Sequence, residues 1–163
     1  MIHKYVKEIK KISKNKSFTI SIAESCTGGM ISSSLTKIDG SSKFFNGSII
    51  TYSNTFKTDI LHVAKKTIKN FGAVSHQTAI EMVSGLRSKS NSEILISVTG
   101  VAGPKGGSKN TPIGTVFFGI GTKIKGKYKF KSVKKNFKGS RFLIQKQSTE
   151  FALNTIIKEI KLI

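Results

Sequence analysis

Phe18-Thr-Ile-Ser-Ile-Ala-Glu-Ser-Cys-Thr-Gly-Gly-Met30 decides the fold. A β-rich run, Phe18 to Ile22, gives way to hydroxyl-bearing residues and a glycine pair, after which Met30 to Leu35 takes up helical spacing. Strand, loop and helix in that order form the repeating unit of open α/β sheets. Working outward, Ile2, Val6, Ile9 and Ile12 predict an amphipathic helix before this unit. Gly47 to Tyr52 reads as a second strand, with Asn54 capping a helix that runs to about His62. Ser75 caps another helix, on which Ala79, Met82, Val83 and Leu86 share a face, and Glu93 to Val98 is a third strand. Ile113 to Ile120 and Lys127 to Val133 read as strands of a hairpin whose connection is bounded by Gly121 and Gly126. A last helix follows Ile144, Ser148, Ala152, Ile156 and Ile160. The expected architecture is a single-domain three-layer α/β/α sandwich spanning residues 1–163, with a mixed, mostly parallel sheet.

Composition narrows the function. One cysteine, Cys26, among 163 residues excludes a disulfide framework and any multi-thiolate zinc site, and it points to a reducing compartment. No metal or cofactor is expected. The longest apolar stretch, Ile113 to Ile120, falls far short of the roughly 18 residues of a membrane span. Lysines recur through the first helix, unlike a secretory leader, so a cytoplasmic protein with no membrane role is expected. The formal charge of +20 raises nucleic acid as a partner. Yet of 28 Lys and Arg only Arg87 and Arg141 are arginine, the better base reader, and the lysines spread along the whole chain. Lys123, Lys125, Lys127, Lys129 and Lys131 lie at period two, which predicts one solvated face of an edge strand, opposite Tyr128 and Phe130.

The chemistry gathers at strand ends, where open α/β sheets bind ligands. Ser25 sits on a tight loop beside Thr27, with Gly28 and Gly29 allowing a ligand close to the main chain. Ser25 and Thr27 also suit simple helix capping. Cys26 is the rival nucleophile. A serine nucleophile needs a base, and Lys57, His62 and His76 are the candidates. Lys57 is the sharpest, since it follows the second strand end, Thr51-Tyr-Ser-Asn54; burial would have to lower its pKa from about 10.4. The Val98 to Gly107 loop lacks the Gly-Lys-Ser/Thr ending of a P-loop and reads either as an anion-cradling nest or as a flexible connection. Arg141, at a helix start, is the natural phosphate fork.

Six ordered blocks resemble the CinA C-terminal domain family, the competence-damage-inducible proteins and their stand-alone relatives, the nicotinamide-nucleotide amidases. They are Ala23 to Gly29, Gly40-Ser-Ser42, Thr51 to Asn54 with Lys57, Gly72 to Ser75, Thr99 to Pro104, and Pro112 to Val116. The resemblance implies a metal-free α/β/α sandwich, a homodimer, and hydrolysis of the carboxamide of nicotinamide mononucleotide to nicotinate mononucleotide and ammonia. It gives Ser25 the nucleophile's place, Lys57 the base's and Tyr52 a supporting one. Thr27, Gly28, Gly29, Ser42, Thr99, Gly100 and Arg141 fall where the substrate and its phosphate are held. The chain departs from the family near Arg141: Ser140 replaces an aspartate, and Gln145 and Lys146 stand where a second basic cluster is usual. The form implied is the stand-alone one. A nucleic-acid-binding module linked to competence or DNA damage, and a catalytically inactive family member, are the competing readings.

Overall fold

The computed structural model describes the whole chain, Met1–Ile163. Eleven main elements follow in order: α1 (Ile2–Ser13), β1 (Ile20–Glu24), α2 (Met30–Thr36), β2 (Phe45–Ile50), α3 (Asn54–Leu61), α4 (Lys65–Phe71), α5 (His76–Lys89), β3 (Ile94–Gly100), β4 (Thr115–Ile124), β5 (Lys127–Asn136) and α6 (Arg141–Ile160). The sheet order is β2-β1-β3-β4-β5. β1 pairs in parallel with β2 and β3, whereas β4 is antiparallel to both of its neighbours. Four strands therefore run one way and β4 alone runs back. The sheet is mixed and mostly parallel, as expected.

Burial explains the order. Every residue of β1 is buried and β3 is buried up to its last residue, which suits central strands covered on both faces. β5 alternates exposed and half-buried positions over its first six residues, the pattern of an edge. On one face α1, α2 and α6 close over Ile20, Ile22, Ile96, Val98, Val116 and Phe118. On the other, α5 lies across β1, β3, β4 and β5 with α3 and α4 beside it. That second approach is close: a Cβ on Gly119 would sit 2.2 Å from the Ala79 carbonyl, and the Ser97 hydroxyl donates to the same oxygen at 2.6 Å.

Three local details differ from the sequence expectation. Ser53, not Asn54, caps α3, its hydroxyl accepting from the Phe56 amide at 3.0 Å. α4 has no signature in the apolar pattern. The hairpin turns at Lys125–Gly126, both at positive φ, so Gly121 lies inside β4, where a Cβ would come 2.8 Å from the Phe130 ring. This shifts the lysine register: Lys123 pairs with Tyr128, while Lys127, Lys129 and Lys131 pair with Ile124, Thr122 and Ile120. Directly paired residues share a face, so the expected single row of lysines is split between two.

The chain leaves β1 through α2 to reach β2 on one side, then crosses β1 through α3, α4 and α5 to reach β3 on the other. The connections diverge at the carboxyl end of β1, which is where such sheets open a crevice. No helix is long and apolar enough to cross a membrane.

Candidate active site

Ser25 is the first residue after β1. Its amide donates to the Val98 carbonyl at 3.1 Å, which extends the β1–β3 ladder into the loop, and the chain then turns through Gly28 and Gly29 at φ 58° and 95°. Those angles are readily adopted only by glycine. Inside the turn lies Glu24, wholly buried. Its carboxylate accepts from the Thr27 hydroxyl at 2.7 Å and from the amides of Gly29, Ile31 and Ser32 at 3.0, 3.2 and 2.9 Å, and it also accepts from the Ser32 hydroxyl. A buried carboxylate is tolerable only with such partners. Glu24, rather than Ser25 or Thr27, satisfies the start of α2, which leaves the Ser25 hydroxyl uncommitted to capping.

The partner of Ser25 comes from α3. Lys57 is 2 % exposed, and its Nζ lies 3.0 Å from Ser25 Oγ, 3.0 Å from the Thr51 carbonyl and 3.3 Å from the Tyr52 carbonyl. A neutral amine has two N–H groups and one lone pair. Two carbonyls and one hydroxyl suit that inventory as well as the three donors of an ammonium, so the choice between them turns on burial and neighbouring charge. None of the three ion pairs in the molecule involves Lys57, and burial lowers its pKa from 10.5. Charge is therefore disfavoured where a base is needed.

Ser25 and Lys57 open onto a cavity of about 230 Å³, whose wall includes Cys26, Tyr52, Asn54, Thr99, Gly100 and Arg141. Arg141, the first residue of α6, bridges two loops: its guanidinium donates to the Gly103 carbonyl at 2.7 Å and to the Tyr52 hydroxyl at 3.0 Å. Ser140 caps this helix through the Leu143 amide, so serine does locally what an aspartate would. The Thr99 hydroxyl donates to the Ala73 carbonyl at 2.7 Å and ties the floor to the turn before α5. Gly100 has no room for a side chain, since a Cβ would come 2.7 Å from Val116 Cγ2 and 2.9 Å from the Thr115 carbonyl.

Five of the residues marked from sequence, Ser25, Lys57, Tyr52, Thr99 and Gly100, thus meet in one cavity with Arg141 at its rim. Thr27, Gly28 and Gly29 shape the loop but do not line the cavity. Ser42 lies elsewhere. It belongs to the exposed turn Ser41–Lys43 before β2, and a residue that precedes a parallel strand sits at the opposite end of the sheet from one that follows it. The rival bases are also remote from Ser25: His76 contacts Ser132 and the Phe117 ring, and His62 lies 3.5 Å from Lys89. Cys26 lines the cavity, but burial pushes its thiol up to about 12, far from the thiolate a nucleophile requires. Two roles do not follow from the sequence reading: Glu24, which it includes only within the Ala23 to Gly29 block, organises the loop, and Gln145, which it names only as a departure from a basic cluster, donates its amide nitrogen to the Cys26 carbonyl at 2.8 Å. A lone acid at the end of an apolar strand was the available signal for Glu24. Gln145 carries none. No three His, Cys, Asp or Glu side chains come together as a metal-ligand set.

Comparison with known proteins bears on this arrangement. The profile of the CinA C-terminal domain matches residues 2–160. The nicotinamide-nucleotide amidohydrolase PncC of Enterobacter agglomerans is 38 % identical over 158 residues, covering 97 % of this chain and 94 % of that protein. A CinA-like protein of Endomicrobium trichonymphae is 44 % identical over 142 residues, covering 87 % of this chain and 32 % of that protein. The chain spans about a third of the length of that and comparable curated relatives, 32 to 37 %. Among solved structures, a CinA superfamily protein from Klebsiella pneumoniae superposes with a TM-score of 0.90 at 26 % identity, covering 99 % of this chain and 98 % of that one.

Proposed function

The chain belongs to the CinA C-terminal domain family, and from that premise we propose that it hydrolyses the carboxamide of a nicotinamide nucleotide, nicotinamide mononucleotide first, to the acid and ammonia. The observation that carries the proposal is the buried, carboxylate-free Lys57 amine 3.0 Å from Ser25 Oγ. The lone pair of neutral Lys57 takes the Ser25 proton as Oγ bonds to the carboxamide carbon, and the carbonyl electrons move onto oxygen. The tetrahedral intermediate then collapses. Lys57 returns the proton to the leaving nitrogen, ammonia departs, and Ser25 is left acylated. Water, deprotonated by Lys57, cleaves the ester and releases the acid. Base catalysis of this kind contributes roughly 10² to 10⁴ in rate.

Arg141 supports the nucleotide part of the reading. Its two recorded bonds leave further N–H groups free to meet a phosphate. Tyr52 steers that guanidinium through its hydroxyl and holds Lys57 through its carbonyl, so one residue serves both ends of the substrate. Tyr52, Phe56, Ile113, Phe142 and Leu143 are exposed apolar side chains on segments flanking the cavity, and a homodimer that covers them belongs to the same proposal. The deciding experiment is ammonia release by the purified chain across nicotinamide, its riboside, its mononucleotide and the dinucleotide. Turnover should be fastest with the mononucleotide, and its absence with all four would remove the amidase reading.

A further inference from the structure

Gln145 follows Arg141 by one turn of α6 and shares its face. The two side chains do different work. Arg141 reaches the Tyr52 hydroxyl and the Gly103 carbonyl, whereas the Gln145 amide donates to the carbonyl of Cys26, the residue after the proposed nucleophile. Gln145 does not line the cavity, so it is placed to act on the loop and not on a substrate. Glu24 grips the same loop from the far side, through the Thr27 hydroxyl and the amides of Gly29, Ile31 and Ser32. Ser25 lies between, with its amide on Val98 and its hydroxyl on Lys57.

We infer that Gln145 is a positioning residue: by holding the Cys26 carbonyl against α6 it completes a two-sided clamp that keeps the Ser25 hydroxyl on Lys57. This rests on the Ser25–Lys57 reading of the site. The Glu24 side fixes the later half of the loop, where its donors lie, and the Gly28 amide holds the Ser25 carbonyl at 3.0 Å, but neither bonds the Cys26 carbonyl. Only Gln145 restrains it from α6. A trans peptide is rigid, so releasing the carbonyl lets the Cys26–Thr27 unit turn about the Cys26 Cα, the atom it shares with the Ser25–Cys26 unit, and loosens Ser25 through that joint. Reaction rates are steep in such displacements, a shift of about 1 Å costing up to about 10²-fold.

Two variants of nearly the same length separate donor from bulk. Gln145→Met removes the donor, and Gln145→Glu replaces it with an acceptor facing a carbonyl. Both should lower kcat about tenfold with KM for nicotinamide mononucleotide within about twofold. Gln145→Lys restores a donor of sufficient reach and should bring kcat back to within about threefold of wild type. A readout independent of turnover is the single thiol. Cys26 is 5 % exposed and held as a thiol by burial, so its alkylation by iodoacetamide should be slow in wild type. It should quicken at least about fivefold in the Met and Glu variants but not in the Lys variant. Wild-type kcat together with wild-type alkylation in Gln145→Met would overturn the inference, as would equal losses in all three variants. If wild type releases no ammonia, the amidase reading fails, and the alkylation rates alone still decide whether Gln145 holds the loop.

Discussion

Lysine is used in opposite ways at two places in this molecule. At the carboxyl end of β1 and β2 a single lysine, Lys57, is cut off from water, surrounded by two carbonyls and a hydroxyl, and pushed toward its neutral form. Along the β4–β5 hairpin many lysines remain in solvent: Lys127 and Lys129 are exposed, Lys131 pairs with Glu159 at 2.6 Å, and Lys123 lies 5.9 Å from the centre of the Tyr128 ring. The hairpin holds seven of the 28 Lys and Arg, the densest run of charge in the chain, and none of the geometry that chemistry needs. Desolvation, not abundance, turns an ammonium into a base. A total charge of +20 is therefore a poor guide to what this protein does.

Abolishing the buried member should have the largest effect. Lys57→Ala is expected to lower kcat by about 10² to 10⁴ while KM stays within about threefold, because a base acts mainly in the transition state. Lys57→Arg should do no better, since guanidinium stays protonated. A loss confined to KM in steady-state assays would make Lys57 a binding residue and dissolve the contrast with the hairpin.

The pH response sharpens it. The rate should rise with pH through the lowered pKa of Lys57 and level off before 10.5. Stability should follow the same direction. Below its folded-state pKa Lys57 is charged both folded and unfolded, and the folded state carries the full desolvation penalty. Between that pKa and 10.5 the unfolded chain binds the extra proton, so stability rises with pH; above 10.5 both states are neutral and the penalty is gone. Lys57→Met should accordingly melt higher than wild type at neutral pH, with an advantage that shrinks as pH approaches 10.5. A constant difference across that range would show that burial does not perturb Lys57.

Arg141 stands between the extremes, half committed to protein and half free. Losing a charge-assisted phosphate contact of roughly 1.5 to 3 kcal/mol, at about 1.4 kcal/mol per factor of ten, should raise KM of Arg141→Ala for the mononucleotide by about ten- to a hundredfold. The riboside should change by less than about threefold. Equal losses on both would reassign Arg141 to holding Tyr52 and Gly103. The smallest effect belongs to the hairpin: Lys127→Gln with Lys129→Gln should leave kcat/KM within about twofold and stability within about 0.5 kcal/mol, as solvated surface positions do.

The parts of this structure that sequence conveys are those fixed by local pattern. β1 and β3 are legible because both faces are buried and their apolar runs are continuous. Ser25 and Lys57 are legible because each follows a strand end that a parallel sheet brings side by side. The hairpin turn was misplaced because Gly121 serves packing against Phe130, which no spacing reveals. α4 is hidden because Lys65-Lys-Thr-Ile-Lys-Asn-Phe71 buries only Thr67, held to Glu81 at 2.5 Å, so it shows no apolar stripe. Ser42 was marked by resemblance alone, and the direction of β2 carries it to the far end of the sheet. Gln145 meets Cys26 across 119 residues of chain, a contact that exists only once α6 has packed.

Ser25 and Cys26 are neighbours in one loop with opposite chemistry, and the central claim is that only the first attacks. Ammonia release from nicotinamide mononucleotide, measured side by side for Ser25→Ala and Cys26→Ala, tests it most directly. The account predicts a fall of at least about 10³-fold to background for Ser25→Ala and activity within about fivefold of wild type for Cys26→Ala, whose thiol is held near 12. Turnover that survives in Ser25→Ala and disappears in Cys26→Ala would contradict it and move the nucleophile to the thiol.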